Sequence, residues 1–130
     1  MNSPFLRNAW YAACWAGDLA EGVPLAKTIL SEAVVLWREK NGRPAAVEDR
    51  CCHRHVPLSL GKIHGERLQC AYHGLEFNAA GECMRVPGQS RVPPEAFVRS
   101  YPVCERYGMI WIWCGETDRA EESEIPKLPW

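Results

Sequence analysis

The sequence predicts an all-β domain, and three observations carry that expectation. Short runs rich in Val, Ile, Leu and Trp recur at close spacing, each bounded by turn residues. Ten glycines and ten prolines in 130 residues supply those turns. No long stretch keeps a helical period.

The runs, in order, place strands at 10–15 (WYAACW), 25–30 (LAKTIL), 33–38 (AVVLWR) and 44–48 (PAAVE). Further strands are expected at 67–70, 82–86, 97–103 and 109–114. Asn41-Gly42 lies between two of them and reads as a hairpin turn, because both residues tolerate positive φ. A second turn is expected around Gly81. Trp111 and Trp113 alternate with Ile110 and Ile112, which reads as a strand buried on both faces rather than an aromatic binding platform. The run from Glu116 to Glu124 is acidic, with Pro126 and Pro129 beyond it, and reads as a solvated linker leaving the domain.

A chain of 14.7 kDa fits one domain that can bury roughly two-thirds of its unfolded surface. Apolar residues make up 47 %, which argues against disorder. The net charge is -1 and the pI near 6.4, so no basic field invites nucleic acid. The start of the chain lacks a basic region followed by an apolar run, and no apolar run has the length to span a membrane. The expected location is the cytoplasm. Seven cysteines, an odd number, in a reducing compartment favour metal ligation over disulfides.

EDRCCHRHVPLSLG is the densest stretch of chemistry. Cys51-x-His53 is followed, after sixteen residues, by Cys70-x-x-His73. Each half offers one thiolate and one imidazole from a short loop flanked by glycine or proline. Cys51 and His53 are two apart, so on an extended segment both point to one side. Cys52 then fills the spacer position. His55 shares the parity of His53, but a four-ligand site is complete without it. His55 and His64, the latter beside Gly65, read as surface histidines.

A tetrahedral zinc site normally draws a Cys pair and a His pair from separate short spacings. Here each loop mixes the two types. That suits a two-iron centre with two thiolates on one iron and two imidazoles on the other, while a structural zinc module for protein contacts is the competing reading. Neutral imidazoles in place of two thiolates bring the oxidised [2Fe–2S] centre from a charge of about minus two to zero, which makes reduction easier. Neither iron has an open position, so such a centre carries electrons and does not activate substrate.

These residues resemble a known family. EDRCCHRHVPLSLG, LQCAYHGLEFNAAGEC, VPGQ, SYPVCERYGMIWIWCGE and FLRNAWYAACW are similar to the Rieske [2Fe–2S] domain of Rieske non-haem iron oxygenases, in particular the oxygenase components of vanillate O-demethylase and toluenesulfonate methyl-monooxygenase. The resemblance implies the Rieske fold, stacked antiparallel sheets holding the cluster at the tips of two hairpin loops. It implies that Cys51 and Cys70 bind the outer-type iron through sulfur, and that His53 and His73 bind the other through nitrogen. Most relatives have proline where this chain has Cys52, which places an extra thiol near the cluster.

The high-potential, respiratory branch of these proteins adds a disulfide whose cysteines would fall at Val56 and Tyr72, and hydroxyl donors where this chain has Leu75 and Phe77. The chain thus resembles the low-potential oxygenase branch. Those oxygenases also hold a mononuclear Fe(II) on two histidines and a carboxylate. No histidine follows His73, so this chain cannot supply that site. The expectation is a cluster domain over 1–115, with its binding loops within 49–77, and a linker over 116–130 toward an absent catalytic domain. The resemblance further implies electrons arriving from a flavin/iron–sulfur reductase or a ferredoxin, delivery to the catalytic domain of the same or a neighbouring subunit, and a homotrimer at full length. A free-standing Rieske ferredoxin is the alternative.

Overall fold

The computed structural model describes residues 8–52 and 56–127. They form ten strands and four short 3-10 turns, with every strand pairing antiparallel. The strands are β1 (Ala9–Trp15), β2 (Leu25–Ile29), β3 (Glu32–Arg38), β4 (Pro44–Glu48), β5 (Lys62–His64), β6 (Arg67–Gln69), β7 (Glu76–Phe77), β8 (Cys83–Arg85), β9 (Val103–Arg106) and β10 (Met109–Cys114). They make three sheets, ordered β1-β10-β9, β2-β3-β4 and β5-β6-β7-β8.

The sheets stack in layers, and β3 explains the stacking. Its residues alternate between faces, and both faces are apolar. Val34 and Leu36 pack with Ile110, Ile112 and Cys114 of the first sheet. Val35 and Trp37 pack with Leu68, Phe77 and Cys83 of the third. β3 therefore has no wet face. Burying all four of these β3 side chains contributes roughly 1.5–3 kcal/mol each.

β10 is buried on both faces, as its sequence predicts. Ile110 and Ile112 face the middle sheet, while Trp111 and Trp113 turn outward. The outward pair is covered by Trp10 and by Ile125. The side chains of the acidic run are mostly exposed, yet its backbone is held down. Trp10 Nε1 donates to the Glu121 carbonyl at 2.8 Å, Trp113 Nε1 to the Glu116 carbonyl at 2.8 Å, and the Arg106 guanidinium to the Glu122 carbonyl at 2.9 Å.

Several strand expectations need correction. The run at 97–103 makes only isolated bridges, Glu82 to Phe97 and Val47 to Ser100, and the strand begins at Val103. Its amides go instead to two sheets, with Tyr101 N–H bonding the Ala46 carbonyl and Val98 N–H the Gly81 carbonyl, and Pro102 has no N–H for a ladder. β5 and β7 were not expected, being three and two residues long. The β2 run stops at Ile29, because Leu30 and Ser31 both take positive φ and form the hairpin turn. At Asn41-Gly42 a hairpin turn does form, but only Gly42 has positive φ, and Glu39 N–H bonds the Arg43 carbonyl across the loop.

Candidate metal centre

Cys51 and Cys70 are held by matching backbone bonds. Cys51 N–H donates to the Val56 carbonyl at 2.8 Å, and Cys70 N–H donates to the Leu75 carbonyl at 2.8 Å. Each cysteine thus opens a loop closed by a bond to the residue five positions on. In the second loop Gly74, at positive φ, turns the chain back, and its N–H bonds the Cys70 carbonyl at 3.1 Å.

Cys51 and Cys70 are buried in one apolar cluster that also contains Leu58, Leu75 and Cys83. His73 is exposed at the tip of its loop, with the Tyr72 ring packed edge-on at 4.1 Å between centroids. His53 and His55 lie outside the described residues. The thiols are therefore deep and the described imidazole is outward. By burial, an iron held by Cys51 and Cys70 would lie on the inner side, not on the outer side that the resemblance implies.

Cys52 is half-buried, beside Cys51 in the chain. Burial pushes its thiol up, and the nearby Cys83 adds to this. Cys52, His73, Leu75, Val86, Pro87 and Ala96 line an open groove of about 660 Å³. None of the seven cysteines is joined in a disulfide.

Two carboxylates brace the loops, and neither was singled out from sequence. Asp49 precedes the first loop and accepts from Ser59 N–H at 2.7 Å and Ser59 Oγ at 2.6 Å. It closes the stretch from 49 to 59 across its base. Glu76 follows the second loop and is buried. His64, read from sequence as an unengaged surface histidine, is exposed but brings Nδ1 to 3.2 Å from Glu76 Oε2. Gly61 completes the junction: a Cβ there would collide with the Gln69 carbonyl, so the first loop can lie against β6 only with glycine.

The donor set fits a [2Fe–2S] group. Two buried sulfurs from like loops and one outward imidazole suit a centre whose ligands divide two per iron. Among the described residues no three His, Cys, Asp or Glu side chains surround one point. A single tetrahedral zinc on Cys51, Cys70 and His73 would require that they do.

Comparison with known proteins agrees. Residues 9–102 match the Rieske [2Fe-2S] domain family. The iron–sulfur subunit of the toluene-4-sulfonate monooxygenase system of Comamonas testosteroni is 45 % identical over 97 % of this chain, which spans 36 % of that protein. The vanillate O-demethylase oxygenase subunit of a Pseudomonas species is 45 % identical over 97 % of the chain and 35 % of that protein. The crystal structure of dicamba monooxygenase bound to dicamba superposes with a TM-score of 0.90 at 44 % identity, covering 95 % of this chain and 37 % of that one. The chain thus spans about a third of the length of these relatives. It belongs to the Rieske [2Fe–2S] domain family.

Proposed function

We propose that the chain is the electron-relay domain of an aromatic-substrate oxygenase of the O-demethylase or hydroxylase type. The observation that supports this reading best is the pair of like loops that set Cys51 and Cys70 deep and His73 at the surface. Cys51 and Cys70 would hold one iron, His53 and His73 the other. The group supplies a one-electron couple with no open coordination position.

The protein's own part is to shield one side and expose the other. Leu58, Leu75 and Phe77 exclude water from the sulfur side. The exposed His73 offers an imidazole edge through which an electron can leave, since its second ring nitrogen can hydrogen-bond and a thiolate has no such handle. The groove beside it is where the receiving surface would seat.

Electrons would come from a flavin/iron–sulfur reductase or a ferredoxin and go to a mononuclear iron in the catalytic domain of the same or a neighbouring subunit, in a homotrimer. Residues 1–115 would be the cluster domain, and 116–130 would lead to the catalytic domain. No helix among the described residues is long and apolar enough to cross a membrane, and we place the protein in the cytoplasm.

Substitution tests the ligand set. Cys51→Ser should abolish the visible chromophore of the purified chain, and Cys52→Ser should retain it. Loss on Cys52→Ser with retention on Cys51→Ser would reverse the assignment. Iron and sulfide analysis separates this reading from zinc.

A further inference from the structure

Glu76 is the one buried charged residue among those described, and the electron relay does not use it. Its carboxylate gathers a side chain from every other strand of its sheet. His64 of β5 lies at 3.2 Å, Arg67 and Gln69 of β6 at 3.5 Å each, and Arg85 of β8 at 3.6 Å. The arginine contacts are long for hydrogen bonds and act as charge attraction. One carboxylate therefore ties four strands together on the sheet's outer face.

The position matters because of what lies next to it. Glu76 pairs with Gln69 across the ladder. The next rung is the Cys70 to Leu75 bond that closes the second ligand loop. The loop carrying Cys70 and His73 thus springs directly from the strapped pair. Cys83, which pairs with Phe77 beside Glu76, shares its apolar cluster with Cys51 and Cys70.

We propose that Glu76 is a positioning residue with two effects: it fixes the 70–75 ligand loop through the four-strand strap, and its negative charge holds the cluster potential down. This rests on the cluster assignment above. Reduction adds one negative charge to the centre, so a nearby carboxylate disfavours the reduced form and a nearby guanidinium favours it. Arg67 and Arg85, with side chains 41 % and 58 % exposed, are both screened and offset the carboxylate only in part.

Two measurements test it. Glu76→Gln, which keeps the shape and removes the charge, should raise the midpoint. Arg85→Gln should lower it by a smaller amount. A carboxylate that served only stability would leave the midpoint where it was. Shifts of the same sign, or no shift in either variant, would overturn the electrostatic part. Amide exchange on the metal-free chain tests the strap without any cluster. Glu76→Gln should speed exchange at Lys62, Gln69 and Arg85 together, by about tenfold for the loss of one charged contact of roughly 1.4 kcal/mol. Unchanged exchange at these three amides would overturn the strap. Absence of a chromophore in the parent chain would instead sink the cluster assignment.

Discussion

Cys104 shows how burial and a neighbouring carboxylate together set a thiol's chemistry. It is half-buried on β9, beside the acidic run. Burial, then a hydrogen bond to Glu122, then that carboxylate's charge push the thiol up to about 11. The thiolate is the nucleophile. Cys104 should therefore be alkylated slowly by iodoacetamide at pH 8, faster as pH climbs toward about 11. Glu122→Gln removes the charge and should speed the reaction at pH 8, as read by peptide mass spectrometry over time. Equal rates in parent and variant would mean that the carboxylate is not what holds the thiol protonated. At this scale the sequence carried much of the candidate site. Cys51, Cys70 and His73 follow from spacing, and Cys52 reads as a spacer from parity. Asp49 and Glu76 did not stand out, because their partners arrive from other segments: Ser59 for one, and β5, β6 and β8 for the other. A sequence shows a carboxylate but not what folds around it.

Arg38 joins elements that have no ladder between them. Its guanidinium donates to the Leu19 carbonyl at 2.7 Å, the Ala16 carbonyl at 2.9 Å, the Gly42 carbonyl at 2.8 Å and Glu105 Oε1 at 2.7 Å. It thereby fastens the end of β3 to the turn after β1, to its own hairpin loop and to β9. Arg38→Ala should cost about 2–3 kcal/mol in denaturant unfolding, since charged hydrogen bonds are lost and carbonyls are left behind. Arg38→Lys should recover little, because one ammonium cannot span a planar fork's acceptors. Full recovery by lysine would show that charge alone matters there. The strand errors have the same physical root as this clamp. Segment 97–102 has strand-like residues, but its amides are claimed by two sheets in turn. The β2–β3 turn carries neither glycine nor asparagine: Leu30 and Ser31 accept positive φ because the five rungs of pairing between β2 and β3 demand a two-residue connection.

Three stacked sheets place the cluster end of the molecule under different control from the rest. The all-β class was legible, because apolar runs and turns were dense. The layer order was not, since β3 and β10 are apolar on both faces and such strands do not reveal which sheet lies on which side. The sulfur side is where that layering bears on function. Leu75 and Phe77, at the end of the second Cys/His loop and just beyond it, point into the core and are almost fully buried. Neither can donate a hydrogen bond to cluster or ligand sulfur. Val56 and Tyr72 are not cysteines, so these two positions form no bridge between the loops. Fewer hydrogen bonds to sulfur leave the reduced, more negative centre less stabilised. The midpoint should therefore fall toward the lower end of the Rieske range, about -150 to 0 mV. Redox titration of the purified chain followed by visible absorption measures it directly. Phe77→Tyr, which adds a hydroxyl in place, should raise the midpoint if that hydroxyl reaches sulfur. A parent value near about +300 mV, the top of the range, would place the chain with the high-potential branch and require a sulfur-directed donor that these residues do not provide.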